Sequence, residues 1–442
     1  MNRLLLFGLI MALPPKTRAE PVSFLEEIAP ILLSQCQSCH GPEKVKGDYR
    51  VDSYSRTMKA GSSDIPAFVA HNLDESEAYF RITTEDEVDR MPAKSDPLSK
   101  DEIALFKQWI EEGANFDGED PNAPLSKERP NVEHPKAPRS YALPVPISAL
   151  AFSHDGESLF VSGHHEVTAW SIAEGSLKKR IGNQGERTYA LALHPTEPWL
   201  AAAGGNPGRL GELRVFHCET GDLLHVLAKT TDVALAAAFS PQGDRLAVGS
   251  ADGLVRLYSV PEFHETLVLT NHSDWVTALA WNASGDLLVS GSRDKTAKVF
   301  RVPEGNRLIT YAGHEKSVHG LHVHPSNEEI YSASADGTLD RWKITDGKRS
   351  EQLSKALDQA FSLSASANQL FITTSQSAIE VFPVSKDTKP ASWTGHHVNG
   401  IISCAYDADR QRLATGDFEG TVSLWDTASG EWLYSFPASP KD

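Results

Sequence analysis

The chain has 442 residues, 40% hydrophobic and 23% charged. That composition excludes a largely disordered chain and leaves room for two or three domains. Its 42 basic and 59 acidic residues give a formal net charge of −17, with no basic cluster to offset it, which argues against nucleic acid or an anionic lipid surface as partner.

The opening residues, MNRLLLFGLIMALPPKTRAE, join an early arginine to an apolar run from Leu4 to Leu13, a proline break and a small residue at Ala19. That order reads as a secretory leader over residues 1–19, directing the mature chain to the periplasm or another extracytoplasmic space. The run is too short to span a bilayer, and no later stretch approaches the length of a span, so none is expected in the mature chain.

A first helix is expected from Ser23, where S-x-x-E forms a capping box with Glu26, and Phe24, Ile28, Ile31 and Leu32 recur at helical spacing. Pro30 is placed to kink it. The helix leads into SQCQSCHGP, Ser34 to Pro42. A disulfide between Cys36 and Cys39 leaves His40 unexplained, and zinc needs two further ligands at a finger-like spacing, which do not follow. A thioredoxin-type pair should follow a strand, not a helix. Covalent haem c fits: two thiols on one turn add to two vinyl groups while the adjacent histidine faces the iron.

The second iron ligand is sought downstream, where the mature chain offers the methionines Met58 and Met91. Met91 lies in DRMPAKSD, stiffened by Pro92, just before a second helix. It is the favoured distal ligand; Met58, His71 and an open site are the alternatives. The second helix has Ser99 and Glu102 as capping box, Ile103, Phe106 and Ile110 on one face with Trp109 beside them, and Gly113 as its stop. Two apolar-faced helices so arranged can close over a flat apolar ligand.

FLEEIAPILLSQCQSCHG, KGDYRVDS, RMP and LSKDEIALFKQWIEEGANF together resemble the planctomycete-type cytochrome c domain. The resemblance covers about Phe24 to Phe116. It implies a small all-α domain over residues 20–117 carrying one haem c, with Cys36 and Cys39 as thioethers, His40 as proximal iron ligand and Met91 opposite. One departure is Tyr49, where the family tends to carry an apolar residue.

Residues 118–140 are proline-rich and almost without aliphatic side chains, a semi-rigid linker. Residues 141–442 are repetitive. Seven units, among them ALAAAFSPQGDRLAVGS and TALAWNASGDLLVSGS, recur about every 40–45 residues, the period of a four-stranded propeller blade. The strand that closes the ring falls in EWLYSF or in SYALPVP. Asp252 to Tyr258, Asp294 to Phe300, Asp336 to Trp342 and Glu419 to Trp425 keep one interval, and Asn271-His272, Gly313-His314 and Gly395-His396 precede three of them. This is similar to the WD-repeat family, in which such a histidine, aspartate and tryptophan share one buried network per blade. Blades one, two and six depart from the pattern and are expected to rely on apolar packing.

Other histidines raise the question of a metal: His319, His322 and His324 in HGLHVH, and the pairs His164-His165 and His396-His397 near ring closure. In the first group strand alternation leaves no third ligand close by, and in the second His396 already has a structural task. Cys218 and Cys404 fall in blades that are not neighbours and read as small buried hydrophobes. The acidic run TTEDEVD, Thr83 to Asp89, reads either as a solvated loop or as a rim steering a basic redox partner.

The expected function is electron transfer by an exported mono-haem c-type cytochrome whose propeller serves as a protein-interaction platform. With no second haem motif, no adjacent cysteine pair and no Ser-His-Asp signature, the reading leans away from a catalyst. A haem-bearing scaffold or sensor, and a propeller enzyme fed by the haem domain, stay open as alternatives.

Overall fold

The structure is a computed structural model that describes residues 21–41, 44–93, 96–118, 120–125, 131–384 and 389–440. The expected leader, residues 1–19, lies outside them. The chain separates into two compact units, Met1–Pro130 and Asn131–Asp442. No helix among the described residues is long and apolar enough to cross a membrane.

Regular structure in the first unit is helical and short. From Phe24 to His40 the chain runs through four contiguous helical pieces. Wide five-residue turns at Phe24–Ile28 and Leu32–Cys36 alternate with α-helical Ala29–Ile31 and Gln37–His40. Pro30 has no N–H to donate, and the turn before it widens, with Ala29 N–H reaching back to the Phe24 carbonyl. Ser23 Oγ accepts from Glu26 N–H at 2.9 Å, as expected. The returning carboxylate belongs to Glu27, however, which accepts from Ser23 N–H at 3.0 Å.

The helix Lys100–Glu111 has both halves of its Ser99–Glu102 capping box. Its apolar face meets the first helix: Phe24 lies 5.3 Å from Trp109 between ring centroids, and Phe68 stacks on Phe106 at 5.6 Å. Phe24, Phe106, Trp109 and Ile110 are essentially inaccessible, each worth about 1.5–3 kcal/mol of burial.

Within the second unit the described residues form seven four-stranded antiparallel sheets, each built from four strands consecutive in sequence. They are the blades of a seven-bladed β-propeller. Apolar clusters fill the spaces between neighbouring blades; one joins Val289 and Val299 of blade four to Val318, Ile330 and Trp342 of blade five. The small residues of the second strands are explained by this contact: a Cβ on Gly291 would lie 2.8 Å from Val318 Cγ1.

EWLYSF supplies the outer strand of blade seven, Trp432–Pro437. Closure uses side-by-side packing of blades one and seven. Ile147 N–H donates to the Asp417 carbonyl at 3.0 Å, and Trp170 lies 5.5 Å from Phe436.

The network predicted for blade five is present. His314 bridges Ser332 Oγ at 2.7 Å and Thr338 Oγ1 at 2.8 Å, with Asp336 at 3.4 Å, and Trp342 Nε1 donates to Ser332. In blade four His272 joins Asp294 and Ser290. Blade seven shifts the expected pattern. His397 and Asp417, not His396 and Glu419, make the network, with Thr415 receiving the Trp425 N–H. His396 instead stacks flat on Trp432 at 4.2 Å.

Blades one and two do not rely on apolar packing alone, contrary to expectation. Residues 131–141, all but the last within the stretch read as a linker, are strapped to them by buried charge. Glu212 accepts from His134 and is paired with Arg214 at 2.7 Å; Arg214 also donates to the Val132 carbonyl. Tyr141 donates to Glu166, which is paired with Arg180 at 2.7 Å. At the other end of that stretch Leu125 is fully buried in the first unit, its N–H on the Asp52 carbonyl.

Burial holds the His272 and His314 imidazoles below their ordinary 6.5, outweighing the neighbouring carboxylates. Burial likewise lowers His319 and His322, the latter to about 4. The unfolded chain therefore binds more protons just below pH 6.5, so stability is full above that value and falls as pH drops through it. Asp336 is held below its ordinary 3.8; burial would raise it, but the Thr338 hydrogen bonds prevail, and a second loss follows in that acid range. The propeller's thermal midpoint is expected to fall steadily from about pH 7 to about pH 5; a midpoint flat across that interval would refute this assignment.

Candidate functional site: a thiol, imidazole and thioether cavity

The first unit contains a cavity of about 510 Å³, within the range of small-ligand sites. Its walls include Leu32, Val51, Phe68, Ile82, Leu98 and Phe106, and Cys36, Cys39, His40 and Met91 all line it. Four residues, the first and last fifty-five positions apart, are thus brought to one space. Met58 packs against the apolar core and is not among the lining residues. His71 caps the second helix, its Nδ1 donating to the Glu111 carbonyl at 2.8 Å.

Both motif cysteines are free thiols. Burial, reinforced by Cys39 and Glu102, pushes the Cys36 thiol up to about 12. That opposes the lowered thiol of a redox-active pair. His40 Nδ1 lies 2.9 Å from the Lys46 carbonyl. A carbonyl only accepts, so Nδ1 carries a proton, and in the neutral ring Nε2 is the nitrogen with the free lone pair.

The Lys46 carbonyl is aimed by the turn Lys46–Asp48, where Gly47 has φ 63°. The turn is pinned by Gly47 O accepting from Ser62 N–H at 2.7 Å, and the His40 carbonyl accepts from Val51 N–H at 2.8 Å. Tyr49, also on the cavity wall, sets its ring 5.4 Å from the imidazole. Lys46 and Gly61 were missed as site residues, and Tyr49 was noted only as a departure from the family pattern; KGDY was the available signal.

Met91, which also lines the cavity, donates its N–H to the Arg81 carbonyl at the end of the helix Glu77–Thr83, at 2.8 Å. The Arg81 guanidinium is paired with Glu77 at 2.8 Å and reaches Asp89 at 3.6 Å. This ties the acidic loop back to the helix. Glu85, Asp86 and Glu87 remain exposed, and Val88 is 88% exposed.

The other histidines are dispersed. His164 and His165 lie 4.4 Å apart, His319 lines the central channel of the propeller, and His322 and His324 flank Tyr331. Among the described residues no group of three or more His, Cys, Asp or Glu side chains is arranged to hold a metal ion. Cys218 and Cys404 are free and partly buried against blade cores.

Residues 36–95 match the family model for planctomycete cytochrome C. Residues 221–259, 263–301, 305–343 and 388–426 match the WD domain, G-beta repeat. Those four matches end in blades three, four, five and seven, the blades that keep the aspartate or glutamate interval. The class is therefore a chain of two modules, a planctomycete-type cytochrome c segment followed by a WD-repeat β-propeller. Among solved structures it is similar to the computationally designed Ika8 protein, at 23% identity over 67% of this chain and 90% of that one, with a TM-score of 0.53. That likeness bears on the fold alone. No curated protein matches the chain.

Gly61 is required by close approach: a Cβ there would lie 2.6 Å from the Gly47 carbonyl oxygen and 3.1 Å from Tyr49 Cβ. Gly61→Ala is expected to destabilise the first unit by about 1–3 kcal/mol through overpacking. Denaturant unfolding of the full chain checks this; an unchanged first-unit transition would contradict it.

Proposed function

We propose that the chain is an exported mono-haem c-type cytochrome that transfers electrons, with its propeller acting as a protein-interaction platform. In this reading residues 20–117 form a small all-α cytochrome c domain. Cys36 and Cys39 hold the haem as thioethers, His40 is the proximal iron ligand and Met91 the distal one. The observation that carries it is the convergence of those four side chains on one apolar cavity.

The residues present suit that group. Two free thiols stand one helical turn apart, the imidazole offers Nε2, and a thioether comes from a separate loop. A haem c held by histidine and methionine supplies a one-electron iron couple of raised potential. The protein's own part is to hold, orient and exclude. Lys46 fixes the tautomer of His40, the Arg81 carbonyl anchors the backbone of Met91, and Leu32, Phe68, Ile82 and Phe106 give the cavity an apolar wall.

Exposed Glu85, Asp86 and Glu87, six to four residues before Met91, favour a basic-faced redox partner. The propeller, a fold suited to displaying loops from a rigid ring, is assigned protein contacts.

Maturation of the full chain with haem-attachment machinery should give an intact mass that includes one haem and lacks residues 1–19. The Cys36→Ser/Cys39→Ser variant should carry none. Met91→Ala should keep the haem but bind carbon monoxide readily when reduced, whereas the parent should not; equal binding by both would overturn Met91 as ligand. Electron transfer to a basic acceptor protein should slow as salt rises past about 0.1 M, where the Debye length falls to about 10 Å. A salt-independent rate would remove the docking role of Glu85–Glu87.

A further inference from the structure

We infer that Tyr49 is a positioning residue for His40, fixing the rotation of the imidazole that the reading above assigns to the iron. The inference rests on that reading.

A single hydrogen bond from Nδ1 to the Lys46 carbonyl leaves the imidazole free to pivot about the Nδ1–oxygen line. A second contact is needed to set the ring plane. Tyr49 supplies it: the two rings are 5.4 Å apart between centroids with an interplanar angle of 63°, an edge-to-face arrangement.

The tyrosine ring is itself held at three points. Its hydroxyl donates to the Thr57 carbonyl at 2.8 Å, and Thr57 is fully buried in the helix Tyr54–Thr57. Its Cβ abuts Gly61, where any side chain would collide. Its backbone N–H donates, at 3.4 Å, to the same Lys46 carbonyl that receives His40. One carbonyl therefore joins the two residues, and the ring contact closes the loop between them.

Were iron bound, the rotation of the His40 imidazole would set how its Nε2 lone pair meets the metal, and residues that hold such a ligand tune the metal through it. Tyr49 contacts the His40 ring and would act on a bound iron only through it.

The test uses the haem-loaded full chain and its Tyr49→Phe and Tyr49→Leu variants, with Tyr49→Met replacing the leucine variant if that one does not mature. Intact mass establishes that haem is attached. Electron paramagnetic resonance of the oxidised protein and its reduction potential then report the ligand field. Phenylalanine keeps the ring edge, so its g-values and potential should match the parent. Leucine and methionine remove the edge, so both readings should shift outside replicate error while the haem mass remains. A leucine or methionine variant indistinguishable from the parent would overturn the inference. So would a phenylalanine variant shifted as far as leucine, since the hydroxyl tether would then carry the effect. A parent chain without haem mass would overturn the attachment reading, and this inference with it; haem-bearing variants identical to the parent would overturn the inference alone.

Discussion

A histidine that follows a thiol pair can face a ligand only if its far nitrogen is held from behind. In this chain the Lys46 carbonyl does so, at 2.9 Å from His40 Nδ1. That contact depends on the left-handed Gly47, on Gly61 leaving room for the turn, and on Ser62 pinning it. Remove the turn and the imidazole loses its tautomer and its direction together. The thiols would survive such a change; a defined donor set would not.

The other wall of the cavity is secured by different means. Met91 comes from a loop with four acidic residues, whose mutual repulsion favours splaying into water. Arg81 counters that by reaching Glu77 and Asp89 with its side chain and Met91 with its carbonyl. Such exposed pairs contribute roughly 0–1 kcal/mol each, so most of the restraint on the methionine comes from backbone bonding and the apolar wall. The propeller shows the same division of labour. Blades four, five and seven tie their strands with a buried His-centred network, while blades one and two use carboxylates neutralised by arginine and the strap at 131–141.

What was legible in the sequence was chemistry at fixed spacing. The Ser99–Glu102 box and the blade period depend on side-chain identity at short range, and each appears where the spacing put it. Met91 was singled out from its place before the second helix, and it does line the cavity with the motif. Backbone partners were not legible, because the Lys46 and Arg81 carbonyls carry no residue signature. Register was fragile at single positions. Glu27 displaced Glu26 because a wide turn shifts the carboxylate by one residue, and His397 displaced His396 because two adjacent histidines compete for one buried slot. The strap was invisible for another reason: His134 and Glu212 are 78 residues apart, and a proline-rich composition reads as free linker.

The central claim is that SQCQSCHGP holds a haem through both of its thiols. The most direct measurement is the mass of the proteolytic peptide spanning Cys36 to His40, cut from the matured, purified chain. The account predicts a peptide bearing one haem, with neither thiol open to alkylation. A peptide recovered at its bare mass with two alkylatable thiols would contradict it.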